Sequence, residues 1–227
     1  MRILAIDTAL AACAAAVFDT RRGRASAGET QMMARGHAEA LMPLIARVMD
    51  KARIEFAELD RIAVTVGPGS FTGLRVGISA ARGISLVSGK PAVGVSTLAA
   101  YAAPQVANDD GATILVAIDA RHNHVYLQIF ANSGRTLFGP EVASIDDAIR
   151  AGLARPTRVV GSAAQLVAAR WPPDAPPPLL VDPRGAPAIE WVARLGAAVT
   201  QLDDPPTPLY LRPPDARPQD AARLPRQ

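Results

Sequence analysis

The sequence predicts an α/β protein made of two similar domains, and three observations carry that prediction. Short apolar runs alternate with longer stretches of helical spacing. A strand-like run ending in aspartate occurs twice, as Ala5-Ile6-Asp7 and Ala117-Ile118-Asp119, each followed by a turn and a second strand-like run. The 227 residues suffice for two cores, and 49% hydrophobic against 20% charged residues is a globular balance.

Taken in order, the run at 3–6 and the segment Cys13 to Phe18 read as strands, and Arg21-Arg22-Gly23 reads as a turn. This gives a three-stranded antiparallel start. From Gly36 to Arg53, Leu41, Leu44, Ile45, Val48, Met49 and Ala52 fall at helical spacing, with the regular helix expected to begin near Pro43. Arg61 to Val66 reads as a buried strand, followed by Gly67-Pro68-Gly69-Ser70-Phe71-Thr72-Gly73 and a helix to about Ser88. Gly89-Lys90-Pro91 stops that helix before a short strand at Ala92 to Val95. In the second copy Val125, Leu127 and Ile129 share one face of a strand, and His124, Tyr126, Gln128 and Phe130 the other. Fifteen of the 20 prolines follow Arg150, and the run 172–178 reads as a stiff extended linker. Helical spacing resumes over 186–202, and the segment 213–227 is expected to be disordered. The expected domains are 1–104 and 112–212.

Composition excludes several classes. No apolar run approaches the roughly 20 residues a membrane helix needs. The single Cys13 excludes a disulfide framework and a Cys-rich zinc site, and with 3 His an all-protein catalytic metal site would have to lean on carboxylates; neither a metal nor another cofactor is expected. Leu10-Ala11-Ala12-Cys13 looks like a lipoprotein cleavage box, but Asp7 interrupts the apolar core that reading needs, so a cytoplasmic location is expected. The net charge of +3 is evenly spread, with no basic stripe. Nucleic acid is therefore expected to be met only together with a partner.

Two constellations stand out. The strand–glycine-rich loop–helix at Gly67 to Arg75 is not a P-loop, since Leu74 follows Gly73 where that motif has Lys. It reads either as a tight turn capped by Ser70 or Thr72 or as an anion site at a helix start. Asp7 and Asp119 read either as strand-end turn formers or as the paired carboxylates of a duplicated ATPase. The glycine such a nucleotide grip needs two residues on is Ala9 in one half and Arg121 in the other. Beyond them, Gly73, Gly77, Ala80, Ala81 and Ile84 leave one helix face almost bare, so a second helix is expected to pack there. The stripe at 41–48 is its natural partner, either within the domain or as a patch for another subunit.

Several motifs stand in order: Ile-Asp-Thr at 6–8, His-Ala-Glu at 37–39, Val-Gly-Pro-Gly-Ser-Phe-Thr-Gly-Leu-Arg-Val-Gly at 66–77, Gly-Val-Ser-Thr-Leu at 94–98, Asp-Ala-Arg at 119–121 with Val-Tyr at 125–126, and Tyr-Leu-Arg at 210–212. Together they resemble the bacterial TsaB (YeaZ) family over residues 3–212. The resemblance implies a duplicated actin-like, ribonuclease H-like fold with two similar subdomains. It implies a non-catalytic scaffold that binds the catalytic subunit TsaD, works with the ATPase TsaE and meets tRNA only within the complex. Together these transfer threonylcarbamoyl to the adenosine beside the anticodon of tRNAs reading A-starting codons.

Of the two metal-binding histidines of TsaD, only His37 stands here, with Leu41 one turn on. The resemblance places the partner interface on His37, Leu41, Leu44, Ile45, Val48, Gly73, Gly77, Ala81 and Ile84, the patch pairing with itself as a homodimer when TsaD is absent. A large residue at Gly77 or Ala81 is expected to abolish co-purification with TsaD and leave a folded monomer. A vestigial nucleotide or anion site would comprise Asp7, Thr8, Gly67, Gly69, Ser70 and Asp119. The alternative reading is a stand-alone actin-fold ATPase or kinase.

Overall fold

The computed structural model describes residues 1–106, 110–202 and 204–212; the expected disordered segment 213–227 lies outside them. The first lobe begins with β1 (Arg2–Asp7), β2 (Ala12–Asp19) and β3 (Arg24–Met32), then α1 (His37–Ala52), β4 (Arg61–Gly67), α2 (Phe71–Ser88) and β5 (Ala92–Ser96). A short helix α3 (Thr97–Ala102) leads to the second lobe. That lobe holds β6 (Thr113–Asp119), β7 (His124–Ala131), β8 (Thr136–Ser144), α4 (Ile145–Gly152), β9 (Thr157–Val160), α5 (Ala164–Ala168) and β10 (Leu180–Asp182). Helix α6 (Ile189–Ala198) follows.

The two sheets repeat one topology. The first runs β3-β2-β1-β4-β5 and the second β8-β7-β6-β9-β10, each with three antiparallel strands and two parallel additions. Asp7 and Asp119 end the equivalent central strands, so the shared Ala-Ile-Asp marks a genuine structural repeat.

Both faces of the inner strands of each sheet are buried, which explains why those strands read as continuous apolar runs. Leu4 and Ile6 of β1 join α1 and α2 in one core, while Ile3 and Ala5 join α6 in another. In the second lobe Leu115, Val125, Leu127 and Ile129 pack with α4 and α5. Ile114, Val116, Ile118 and Phe130 pack against Leu98, Tyr101 and Ala102 of α3. The alternation along β7 is the one expected.

Three expectations change. Helix α1 does not begin near Pro43 but at His37 and runs through it. An interior proline costs about 3 kcal/mol, whereas each fully buried Leu, Ile or Val contributes about 1.5–3 kcal/mol. Leu41, Leu44, Ile45 and Val48, none more than 1% exposed, outweigh that cost. The proline-rich run 172–178 is not an extended linker: Ala175 N–H bonds the Pro172 carbonyl, and Trp171 Nε1 donates to the Pro176 carbonyl at 2.9 Å.

Third, the stretch from 189 onward, expected in the 112–212 domain, returns to the first lobe. Val192 and Ala193 of α6 pack on Ile3, Ala5, Ala63 and Val93. Gly196 lies so close to Ala63 that a side chain there would collide with its Cβ. Arg61 of β4 ends the helix, donating from Nη1 to the carbonyls of Gly196 (2.6 Å), Ala197 (3.2 Å) and Val199 (2.7 Å). A cation at these carbonyls also matches the helix dipole. No helix among the described residues is long and apolar enough to cross a membrane.

Candidate functional site

The β1–β2 turn is gripped by the glycine-rich loop. Thr8 Oγ1 donates to the Gly73 carbonyl at 2.7 Å, and Ser70 N–H donates to the Ala9 carbonyl at 2.7 Å. A Cβ at Gly69 would collide with the Ala9 carbonyl, and one at Gly73 with that of Thr8. A Cβ at Gly77 would lie 2.5 Å from Thr8 Oγ1. At Gly73 and Gly77 the bare face of α2 therefore meets a strand turn, while α1 packs beside it in the same core. Ser70 caps α2, its Oγ accepting from Gly73 N–H at 3.3 Å.

Asp7 lies beneath this turn, fully buried. Its Oδ1 accepts from Thr65 Oγ1 (2.6 Å) and Ala9 N–H (3.0 Å), while Oδ2 has no partner among the described residues. Burial raises its pKa, opposed by the Thr65 bond, the Ala9 N–H and the charge of His37.

A cleft of about 550 Å³ separates the lobes, lined among others by Gly69, Ser70, Asp119, Arg121, Ser162 and Arg212. Of the expected nucleotide or anion residues, Gly69, Ser70 and Asp119 meet in this cleft, whereas Asp7, Thr8 and Gly67 lie behind it. Asp119 is exposed; its N–H donates to Ser162 Oγ at 3.0 Å, and its Oδ1 accepts from Arg121 N–H at 2.7 Å. Arg121, His122 and Asn123 are successive left-handed residues (φ 63°, 50° and 61°). Arg121 thus holds a glycine-like backbone without being glycine.

Sequence reasoning did not single out Ser162. The signal was there: Gly161-Ser162 follows β9 as Gly67 to Ser70 follows β4, so the repeat sets a serine on each wall.

The residues expected at a partner interface are brought together, but as core. Leu41, Leu44, Ile45, Val48, Gly73, Gly77, Ala81 and Ile84 are buried between α1, α2 and the sheet. The apolar stripe of a surface helix faces its own sheet first, so the surface these helices present is the opposite one. Replacing Gly77 or Ala81 with a large residue would disturb the lobe itself, contrary to the folded monomer expected. The outward side holds a groove of about 510 Å³ lined by Ala38, Met42, Phe71, Val76, Ser79 and Ala80 among others. Met42 is 49% exposed, and beyond the groove Leu86 and Val87 are 85% and 89% exposed.

His37 is half-buried at the cleft edge, its Nε2 3.0 Å from the Leu10 carbonyl. No group of three or more potential metal ligands occurs among the described residues. Cys13 is buried, which pushes its thiol up to about 11, with the charge of Asp7 adding to the shift.

Two lobes of repeated topology around a cleft define an actin-like protein. Residues 30–203 match the family model described as TsaD: tRNA N6-adenosine threonylcarbamoyltransferase. The tRNA threonylcarbamoyladenosine biosynthesis protein TsaB of Escherichia coli is 36% identical over 126 residues, which are 56% of this chain and 53% of that protein. The chain thus spans about half the length of that relative. YeaZ from Pseudomonas aeruginosa superposes with a TM-score of 0.75 at 26% identity, covering 92% of this chain and 99% of that one. An inorganic polyphosphate/ATP-glucomannokinase from Arthrobacter shares the fold alone, with a TM-score of 0.51 at 13% identity. The chain belongs to the family of that model, in its TsaB (YeaZ) branch.

Proposed function

We propose that the chain is a non-catalytic scaffold subunit for threonylcarbamoyl transfer to the adenosine beside the anticodon of tRNAs reading A-starting codons. It acts in the cytoplasm by binding TsaD, with TsaE and tRNA joining the assembled complex, and forms a homodimer when alone. The observation that carries this reading is the outward face of α1 and α2: a groove lined by Ala38, Leu41, Met42, Val76, Ser79 and Ala80 among others. Small side chains on neighbouring helices let a partner helix approach closely, and an apolar patch of this kind marks a protein interface.

Family membership supports the pathway. The burial of Asp7 supports the non-catalytic role, since a carboxylate held away from the cleft is badly placed to hold a metal-nucleotide there.

The test is co-purification with TsaD, using substitutions in the groove and not in the core. Ser79→Arg and Met42→Glu, both at exposed positions, are expected to abolish capture with an unchanged melting curve. Full capture by both would reject this face. A transfer assay omitting each subunit in turn checks the scaffold role; transfer by this chain alone would overturn it. Titration with Mg-ATP addresses the stand-alone ATPase or kinase, which tight binding and turnover would favour.

A further inference from the structure

The segment after α6 crosses from one lobe to the other. The Pro206 carbonyl accepts from Arg82 Nε of α2 at 3.1 Å. Leu209 N–H donates to the Val66 carbonyl at 2.7 Å, and its own carbonyl rests over Gly67, where a Cβ would come within 2.7 Å. The Tyr210 ring lies 5.0 Å from that of Phe71, and its Oη accepts from Arg75 Nε at 3.1 Å. Two residues on, Arg212 Nη1 donates to the Ala120 carbonyl at 2.8 Å, in the β6–β7 turn of the second lobe. Residues 209–212 also line the cleft.

We propose that residues 204–212 form a clasp that fixes the angle between the lobes. Two-lobed proteins close about a hinge when something bridges the cleft. Here the chain supplies the bridge itself. It is anchored to β4 and α2 by three hydrogen bonds and a ring contact, and one charge-assisted bond from Arg212 holds the far wall. The carbonyl it holds immediately precedes the left-handed run 121–123, a backbone that persists only where its surroundings hold it. The clasp also steadies the proposed partner face, because Phe71 and Arg75, under Tyr210, line the α1–α2 groove; that second consequence alone rests on the proposed function.

The lobe angle is measurable without any partner. Spin labels on Asp50→Cys in the first lobe and Gln165→Cys in the second, with Cys13 buried and unlabelled, report the inter-lobe distance. The full chain, a chain ending at residue 212 and Arg212→Lys are expected to give one narrow distance. Arg212→Ala and a chain ending at residue 202 should give a broad one, and in Arg212→Ala the Leu209 amide should exchange about tenfold faster. Arg212 lies near the surface, so Arg212→Ala carries the test even if the shorter chain fails to fold. An equally narrow distance in Arg212→Ala, or a broad one in the full chain, would overturn the clasp. Loss of TsaD capture without any change in distance would leave the clasp refuted and the partner reading standing.

Discussion

Thr8 Oγ1 donates its proton to the Gly73 carbonyl across 2.7 Å, tying the β1–β2 turn to the first turn of α2. The bond is possible only because Gly69, Gly73 and Gly77 bring no side chain between the turn and the loop.

Gly73→Ala should therefore destabilise the fold by about 1–3 kcal/mol, the usual cost of overpacking against atoms that cannot yield. Gly83 in the same helix faces open space. Gly83→Ala should stabilise by about 0.5–1 kcal/mol through helix propensity alone. Urea unfolding of the two variants reads both signs, and a common sign would contradict the geometry.

Arg61 closes the C-terminus of α6 through three carbonyls. Arg61→Met keeps much of the packing and removes the donors. It should cost about 1.5–3 kcal/mol, the range for bonds to a charged group. Equal stability in urea would show that water replaces the guanidinium without loss.

Asp7 sets a pH dependence. Burial raises its folded-state pKa above the ordinary 3.8. Above that pH the unfolded chain releases the proton first, so stability falls as pH rises toward the folded-state value. Asp7→Asn keeps the acceptor for Thr65 and Ala9 and removes the titration. Its stability relative to the native chain should rise with pH from about 4 upward; a difference independent of pH would show that the carboxyl does not titrate there.

Glu29 acts in the opposite sense. Its carboxylate, bonded first to Arg47 and then to Gln31 and Lys51, is held at about 2. The stability it contributes is present above the ordinary 4.5 and is lost as pH falls through about 2. Because the pair lies at the surface, with the Arg47 side chain exposed, the difference between Glu29→Gln and the native chain should be small and shrink further in salt. Acid titration at two ionic strengths checks this.

Cys13 should react with thiol reagents at neutral pH only as fast as the first lobe opens, since its thiol is buried and pushed to about 11. Rapid labelling of the folded chain would contradict that placement.

The repeat was legible because both central strands end in the same Ala-Ile-Asp and period-2 alternation is clean in β7. Helix pairing was legible too, but not its direction. Leu41 to Val48 show that one face of α1 is apolar, and nothing in that spacing says whether it meets a sheet or another subunit. The answer lay in Thr8, a turn residue that fills the space left by Gly73 and Gly77. Short β10 carried no periodic signal. The destination of α6 was hidden for another reason: Ala5, Ala63 and Gly196 make room for it by being small, and small residues are common in this chain.

The return of α6 to the opening strands sets an order of events during synthesis. One side of the sheet formed by β1, β4 and β5, touched until then only by α3, lacks its main cover until residue 198 has left the ribosome, after the whole second lobe has been made. A polypeptide cut between its halves would leave Ile3, Ala5, Ala63 and Val93 facing water. The two halves therefore repeat a topology without being separable modules.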